Sequence, residues 1–290
     1  MCARMSTTIG KRRATKQKHM KLDKPIAFGY TAEIYAWNEG RVLKLFHNWF
    51  ELPSIEFEQR LAQAVHASGL PVPAVYEIIQ VEGRNGLIYE SIEGSSMWDV
   101  LSKQPWRLRE FAQRTAELHA QMHASKVQPQ LPAQRKRLEY KLNHADPLPA
   151  PLKKGALEAL ASLPEGTSLC HGDFHPGNIL VTAKDEIIID WIDASLGNPL
   201  ADVARTSIIA LGAAASSQVP GRFQKFVVRL FHVLYLRHYF RLRPGGKQEY
   251  RCWLPVVAAA RLDEGIRKDE KWLIKQAEKG LKNRNNEVIQ

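Results

Sequence analysis

Residues 169–204, LCHGDFHPGNILVTAKDEIIIDWIDASLGNPLADVA, constrain this chain more than any other stretch. They open on a turn-rich loop dense in His, Asp and Asn. A short apolar strand follows, then a turn at Lys184 and Asp185, then a second strand over residues 187–189 that ends at Asp190. One hairpin therefore gathers a loop Asp (Asp173), an Asn five residues on (Asn178) and a strand-terminal Asp (Asp190). A hard cation such as Mg2+ takes oxygen ligands, keeps several waters and needs only one or two protein carboxylates beside phosphate oxygens. Asn178 and Asp190 can supply such ligands, which leaves Asp173 free to accept a proton from an attacking hydroxyl. Taken singly, each is an ordinary turn residue, because Asx side chains bond their own backbone. The ordered set carries the information.

The order His-x-Asp-x-x-x-x-Asn, followed by Asp, resembles the catalytic loop and metal-binding Asp of kinases. HGD at 171–173, HPGNIL at 175–180, IIDW at 188–191, and Gly197, Asn198 and Pro199 followed by Asp202 sharpen the match. They resemble the aminoglycoside phosphotransferase and choline kinase branch of the kinase-like fold. The resemblance implies an α+β, protein-kinase-like bilobal fold. A small β-rich, nucleotide-binding N-lobe would span residues 22–93, and a larger helical C-lobe residues 94–290. It implies ATP and Mg2+, with the γ-phosphoryl group passing to a hydroxyl of a small molecule. On the same resemblance Asp173 is the catalytic base, Asn178 and Asp190 are the magnesium ligands, and His171 and Asp202 brace the loop.

Upstream, residues 26–28, 33–37 and 42–46 read as strands of a hairpin, with Gly29 in the first connection and Asn38, Glu39 and Gly40 in the second. In the family such a hairpin covers the ATP phosphates and the following strand carries a Lys, which here is Lys44 in VLKLF. The loop FGYTAEIY has one Gly in place of the Gly-rich pattern. The hydroxyls of Tyr30 and Thr31, or backbone N–H groups, are left to meet the nucleotide. Residues 54–68 read as a helix, with Ile55, Leu61, Ala62 and Val65 on one stripe. Pro53 is read as the break before it, Ser54 as its N-cap and Gly69 as its end. Glu58 shares the apolar stripe. An inward-facing carboxylate needs a cation, and Lys44 is the candidate. Glu56 competes for that role, although it lies about 200° around the helix. Residues 75–81 and 87–92 form another hairpin, and the chain leaves the sheet at Gly94. The resemblance implies that backbone groups of Glu90 and Ile92 bond the adenine.

Further helices are expected over residues 98–101, 108–127, 151–163, 204–215, 223–240, 253–262 and 271–281, with residues 128–151 a Pro- and charge-rich connection. His119 and His123 stand at i and i+4, a spacing able to bind zinc. The sequence offers no third ligand and no H-E-x-x-H glutamate, so they are read as packed helix histidines. Phe231, His232, Tyr235 and Tyr239 stripe one helix face, as core packing or as acceptor contacts. The resemblance places the acceptor pocket on the helices after the motif, where Asp193, Arg261 and Glu264 are candidates without assigned roles.

Composition narrows the function classes. A chain of 290 residues with 44% hydrophobic and 24% charged residues suits one large domain or two modest lobes. No apolar run reaches the roughly 18 residues that would suggest a membrane span, and no signal-peptide core follows the start. Three cysteines are too few and too scattered for a disulfide framework or a zinc site, which fits a cytoplasmic protein. Cys170, beside His171, is read as a small buried residue in preference to a nucleophile. Of the net charge of +11, residues 1–21 carry +7, residues 203–290 carry +10 and residues 22–202 carry −6. Residues 1–21 read as a disordered basic tail. A basic surface raises nucleic acid or anionic lipid as partners, but no helix-turn-helix, RNP or zinc-finger pattern supports a nucleic-acid role. Acids are thin on the helices expected to line the acceptor pocket. The acceptor is therefore expected to be neutral or singly charged, with a polycationic aminoglycoside as the alternative. Two other classes stay open. A protein kinase is disfavoured because no APE-like segment follows Asp190. A non-catalytic nucleotide-binding module is disfavoured because the catalytic positions are all filled.

Overall fold

The computed structural model describes residues 22–29, 31–125, 131–216 and 221–288, with side chains to residue 283; Tyr30 and the basic segment 1–21 lie outside the described residues. The N-terminal part is a five-stranded antiparallel sheet. Its strands are β1 (Ala27–Phe28), β2 (Ala32–Ala36), β3 (Arg41–Phe46), β4 (Val75–Val81) and β5 (Arg84–Glu90), in the order β1-β2-β3-β5-β4. Side chains alternate across β3, as a period of two demands. Leu43 and Leu45 join Tyr35, Val81 and Ile88 in a small core on one face. Phe46 packs with Ile55 and Leu87 on the other, against helix α1 (Leu52–His66). Lys44 shares this second face and so meets α1.

α1 starts earlier than the sequence suggests. Pro53 sits in its first turn, where a missing N–H leaves no bond unmade, and the N-cap is Glu51, not Ser54. Its buried stripe is Ile55, Glu58, Leu61, Ala62 and Val65, while Glu56 is exposed.

The chain leaves the sheet through Gly94, where a Cβ would meet the Val181 carbonyl oxygen at 2.8 Å. The next two residues, β6 (Ser95–Ser96), become the third strand of a small sheet with β8 (Ile179–Val181) and β9 (Glu186–Ile188). The rest is mostly helical: α2 (Met97–Lys103), α3 (Leu108–Ala124), α4 (Gln134–His144), α5 (Ala150–Ser162), α6 (Pro199–Ala215), α7 (Arg222–Leu242), α8 (Lys247–Ala260) and α9 (Glu270–Val288). A second short pair, β7 (Ser168–Cys170) and β10 (Ser195–Gly197), runs antiparallel with Cys170 opposite Ser195. The HGD loop leaves from β7. One apolar core runs from Leu61 of α1 through Phe111, Met122, Phe174, Tyr235 and Trp253 to Ala277 of α9.

Other boundaries differ from the sequence reading as well. Residues 128–151 are not a plain connection, because they contain α4. Its sequence QRKRLEYKLNH has no broad apolar stripe and fully buries only Gln134 and Leu142. α6 begins at Pro199, with Asn198 Oδ1 accepting from the Leu200 N–H at 2.9 Å as a side-chain cap, so Asp202 lies in its first turn. α8 begins at Lys247 and runs through Pro255. β9 ends at Ile188, so Asp190 is not strand-terminal; it stands two residues beyond, with φ of 66°. Among the described residues no helix is long and apolar enough to cross a membrane.

Candidate active site

The β8–β9 register builds the first part of the site. Ile179 stands opposite Ile188, and the Ile189 N–H donates to the Asn178 carbonyl at 3.0 Å, which brings Asn178 alongside the segment leading to Asp190. Asn178 Nδ2 donates to the Asp173 carbonyl at 2.9 Å and to its carboxylate at 3.2 Å. The amide oxygen of Asn178 is thereby left to face away from Asp173. Asp190 adopts the left-handed conformation that Asx residues tolerate best after Gly. Its side chain is exposed and makes no hydrogen bond or ion pair among the described residues.

A buried polar frame holds the loop. The His171 ring donates from Nε2 to the Ile189 carbonyl at 3.0 Å and accepts the Asp173 N–H at Nδ1, 3.2 Å. One ring thus ties the loop to the segment before Asp190. The Asp202 carboxylate takes four N–H donors: the backbone of His171 (2.7 Å) and Gly172 (2.8 Å), and the Nε2 of His119 (3.1 Å) and His123 (3.3 Å). Gly172 has φ of 80°, and a Cβ there would meet the Asp193 carbonyl oxygen at 2.6 Å, so no other residue fits without strain.

The third group beside His119 and His123 is Asp202, 83 and 79 residues away along the chain, a separation that no local spacing reveals. The Tyr235 hydroxyl donates to His119 Nδ1 (2.6 Å) and the Tyr239 hydroxyl to His123 Nδ1 (2.8 Å). Each imidazole therefore keeps its proton on Nε2 and gives it to Asp202, a set closed by hydrogen bonds. Burial, then the neighbouring His123, pushes the His119 pKa down to about 3. Burial alone would raise the Asp202 carboxyl, but the bonds from His119 and His123 hold it well below the usual carboxylate range.

Around Asp173 the charges form a chain. Burial would raise its carboxyl, yet the His175 bond (3.4 Å) and then the Arg205 charge (3.6 Å) keep it below the ordinary range. Arg205 donates from Nε to the Gly172 carbonyl at 2.9 Å and pairs with Glu264 at 2.5 Å. Glu264 also meets Lys141 (3.4 Å) and Arg261 (3.7 Å); Lys141 meets Asp193 (3.6 Å), which pairs with Arg137 at 2.7 Å. Arg137, Lys141, Asp193, Arg205 and Arg261 of this chain of charges border a cavity of about 50 Å³ beside Gly172.

On the N-terminal side Lys44 Nζ donates to Glu58 Oε1 at 2.7 Å, and the Tyr89 hydroxyl donates to the same oxygen at 2.8 Å. Glu58, not Glu56, is the partner, because Glu56 points to solvent. Burial first, then the charge of Glu58, pushes the Tyr89 phenol far up, and the charge of Asp190 adds to this. Thr31 is half-buried, and its carbonyl accepts from the His47 N–H at 3.0 Å. The Glu90 carboxylate accepts from the Ala74 N–H at 3.0 Å, and Ile92 is half-buried just past β5. No hydrogen bond among the described residues joins Thr31, Glu90 or Ile92 to Asp173, Asn178 or Asp190.

This geometry has known counterparts. The sequence profile of the phosphotransferase enzyme family matches residues 24–244. The chain belongs to that family. No curated protein matches the sequence. Solved structures share the fold at low identity. The chain is similar to amicoumacin kinase hAmiN, solved with AMP-PNP, Ca2+ and Ami (TM-score 0.61, 16% identity, covering 90% of this chain and 88% of that one). It is also similar to a choline/ethanolamine kinase family protein from Mesorhizobium loti (0.60, 16%, 90% and 88%). A third likeness is to a thermostable mutant of aminoglycoside phosphotransferase APH(4)-Ia (0.59, 17%, 91% and 94%).

Site residues of this phosphotransferase that were not singled out from sequence include Arg137, Lys141 and Arg205. Arg137 and Lys141 sit at i and i+4 beside Leu138 and Leu142, a faint helical signal within α4. Arg205 follows Asp202 by three residues, so one helix face carries both.

Proposed function

We propose that this phosphotransferase is a cytoplasmic small-molecule kinase that moves the γ-phosphoryl group of ATP to a hydroxyl. The observation that carries the reading is Asp173, bonded by Asn178 at 3.2 Å and 3.6 Å from Arg205, which lines a charged cavity. In the transfer, the acceptor oxygen forms a bond to the γ-phosphorus as the bond to the β–γ bridging oxygen breaks. ADP leaves, and the hydroxyl proton passes to Asp173. A carboxylate held this acidic is ionised throughout the physiological range, so its contribution is chiefly to orient the hydroxyl and take the proton late. Lys44, steadied by Glu58 and Tyr89, is positioned to clamp phosphate oxygens, with the Thr31 hydroxyl as a further contact and the backbone at Glu90 and Ile92 for the base.

The donor set suits magnesium. The Asn178 amide oxygen and the Asp190 carboxylate are hard oxygens with no hydrogen-bond partner among the described residues. When bound, the ion neutralises phosphate charge. His171 and Asp202 hold the loop that carries Asp173.

The test is ADP release over a panel of hydroxylated metabolites and antibiotics. Asp173→Asn should lower kcat at least about 100-fold while leaving Mg-ATP affinity, measured by calorimetry, close to wild type. Wild-type turnover in that variant would remove the mechanism.

A further inference from the structure

Four cations line the cavity beside Gly172, against two lining carboxylates. Arg137, Lys141, Arg205 and Arg261 stand among the carboxylates of Asp173, Asp193 and Glu264. Asp202 also borders the cavity, but its oxygens are taken by four N–H donors. Glu264 alone is shared by Lys141, Arg205 and Arg261. Arg261 Nη1 is buried with no hydrogen-bond partner, on a side chain only 13% exposed. Burial, then the Arg205 charge, lowers the pKa of that guanidinium, while Glu264 and Asp173 act against the shift.

We propose that the acceptor of this kinase carries an anionic group, a carboxylate or a phosphate monoester, received by Arg261 together with Lys141 and Arg205 so that its hydroxyl is directed to Asp173. The proposal rests on the kinase reading above. A guanidinium fork matches the planar oxygens of a carboxylate or phosphate, and half-buried charges attract more strongly than solvated ones. A cavity of about 50 Å³ admits a group of a few heavy atoms. A polycation meets the opposite conditions. Each desolvated ammonium needs a carboxylate, and those present are already shared among four cations.

The test uses acceptor pairs of matched skeleton: D-gluconate with sorbitol, D-glycerate with glycerol and glucose 6-phosphate with glucose, with kanamycin as the polycation. Turnover is read as ADP release with Mg-ATP, and binding as the shift in melting temperature of the AMP-PNP complex. The anionic member of a pair should be preferred by about 100-fold or more in kcat/KM, a difference typical of a buried charged contact, and the carboxylate and phosphate arms identify which anion is read. Arg261→Gln should raise the acceptor KM about 10-fold or more, with a smaller change in kcat and none in the KM for ATP, and Arg261→Lys should recover part of the loss. Lys141→Gln provides a second variant on the exposed side of the cavity, with the same direction expected. Equal turnover of neutral or cationic partners overturns the anion proposal and leaves the kinase reading standing. Absence of ADP release with every acceptor, while gluconate still stabilises the wild-type complex and not Arg261→Gln, removes the kinase reading and supports the anion site. Anions that neither turn over nor stabilise overturn the site.

Discussion

Replacing Asp202 by Asn exchanges one oxygen for an amide nitrogen in a carboxylate that takes four N–H donors. The new NH2 must face either the Gly172 N–H or the three donors around Oδ2. Facing Gly172 breaks one bond; facing the other side breaks three, so the first orientation should prevail. It leaves an enclosed N–H opposite another donor, which costs about 1–3 kcal/mol, and the remaining bonds lose their ionic part, about 1 kcal/mol together or somewhat more. Removing a buried charge returns part of this. The net loss is about 2–4 kcal/mol. A domain of this size shifts in Tm by about 2 °C per kcal/mol, so calorimetry should show a fall of about 4–8 °C. Activity should suffer more than stability. Gly172 precedes Asp173, and a displacement of about 1 Å at a reacting group can cost about 100-fold in rate. An Asp202→Asn protein melting within a degree of wild type and retaining full turnover would mean that this carboxylate does not hold the loop.

Three further outcomes are expected. Asp190→Asn, chosen because Asn accepts the left-handed backbone that Ala would strain, should weaken ATP binding in the presence of magnesium but not in its absence; calorimetric titrations that match wild type in both conditions would exclude Asp190 as a ligand. Lys44→Ala and Glu58→Gln should be strongly non-additive in kcat/KM, since the two share one bond at 2.7 Å; a double-mutant cycle giving additive losses would separate them. Stability should fall below pH 6.5: burial holds His119 near a pKa of about 3 and His232 near about 4, so between pH 4 and 6.5 the unfolded chain binds protons that the folded one refuses. By linkage that removes about 2 kcal/mol per histidine on going from pH 7 to 5, and urea unfolding with equal stability at those two pH values would show both rings already protonated in the fold.

What the sequence revealed divides by physical type. The hairpin with Asp173, Asn178 and Asp190 is encoded within some twenty residues, by turn chemistry and short-range strand pairing, and so reads directly. Lys44 and Glu58 read nearly as well, because strand and helix periodicities each point one side chain inward. α4 did not, since QRKRLEYKLNH forms a helix that covers the core with few apolar side chains, and its stability comes from what it packs on. Arg137 and Lys141 were lost with it. Asp202 could be assigned to the loop, but its bonds to His119 and His123 depend on α3 and α6 meeting in space, which no local pattern contains.

The small sheet of β6, β8 and β9 has a consequence for divisibility. β6 leaves the five-stranded sheet only to become an edge of the hairpin that precedes Asp190, and the Ile188 N–H closes on the Pro71 carbonyl at 2.8 Å. Removing residues 22–93 would leave β6 on β8 but take away the Pro71 carbonyl, and with it the acceptor of the Ile188 N–H. That loss falls on the segment that aims Asp190. The two parts of the molecule differ in architecture, but the part that supplies Asp190 takes a backbone acceptor from the part that supplies Lys44.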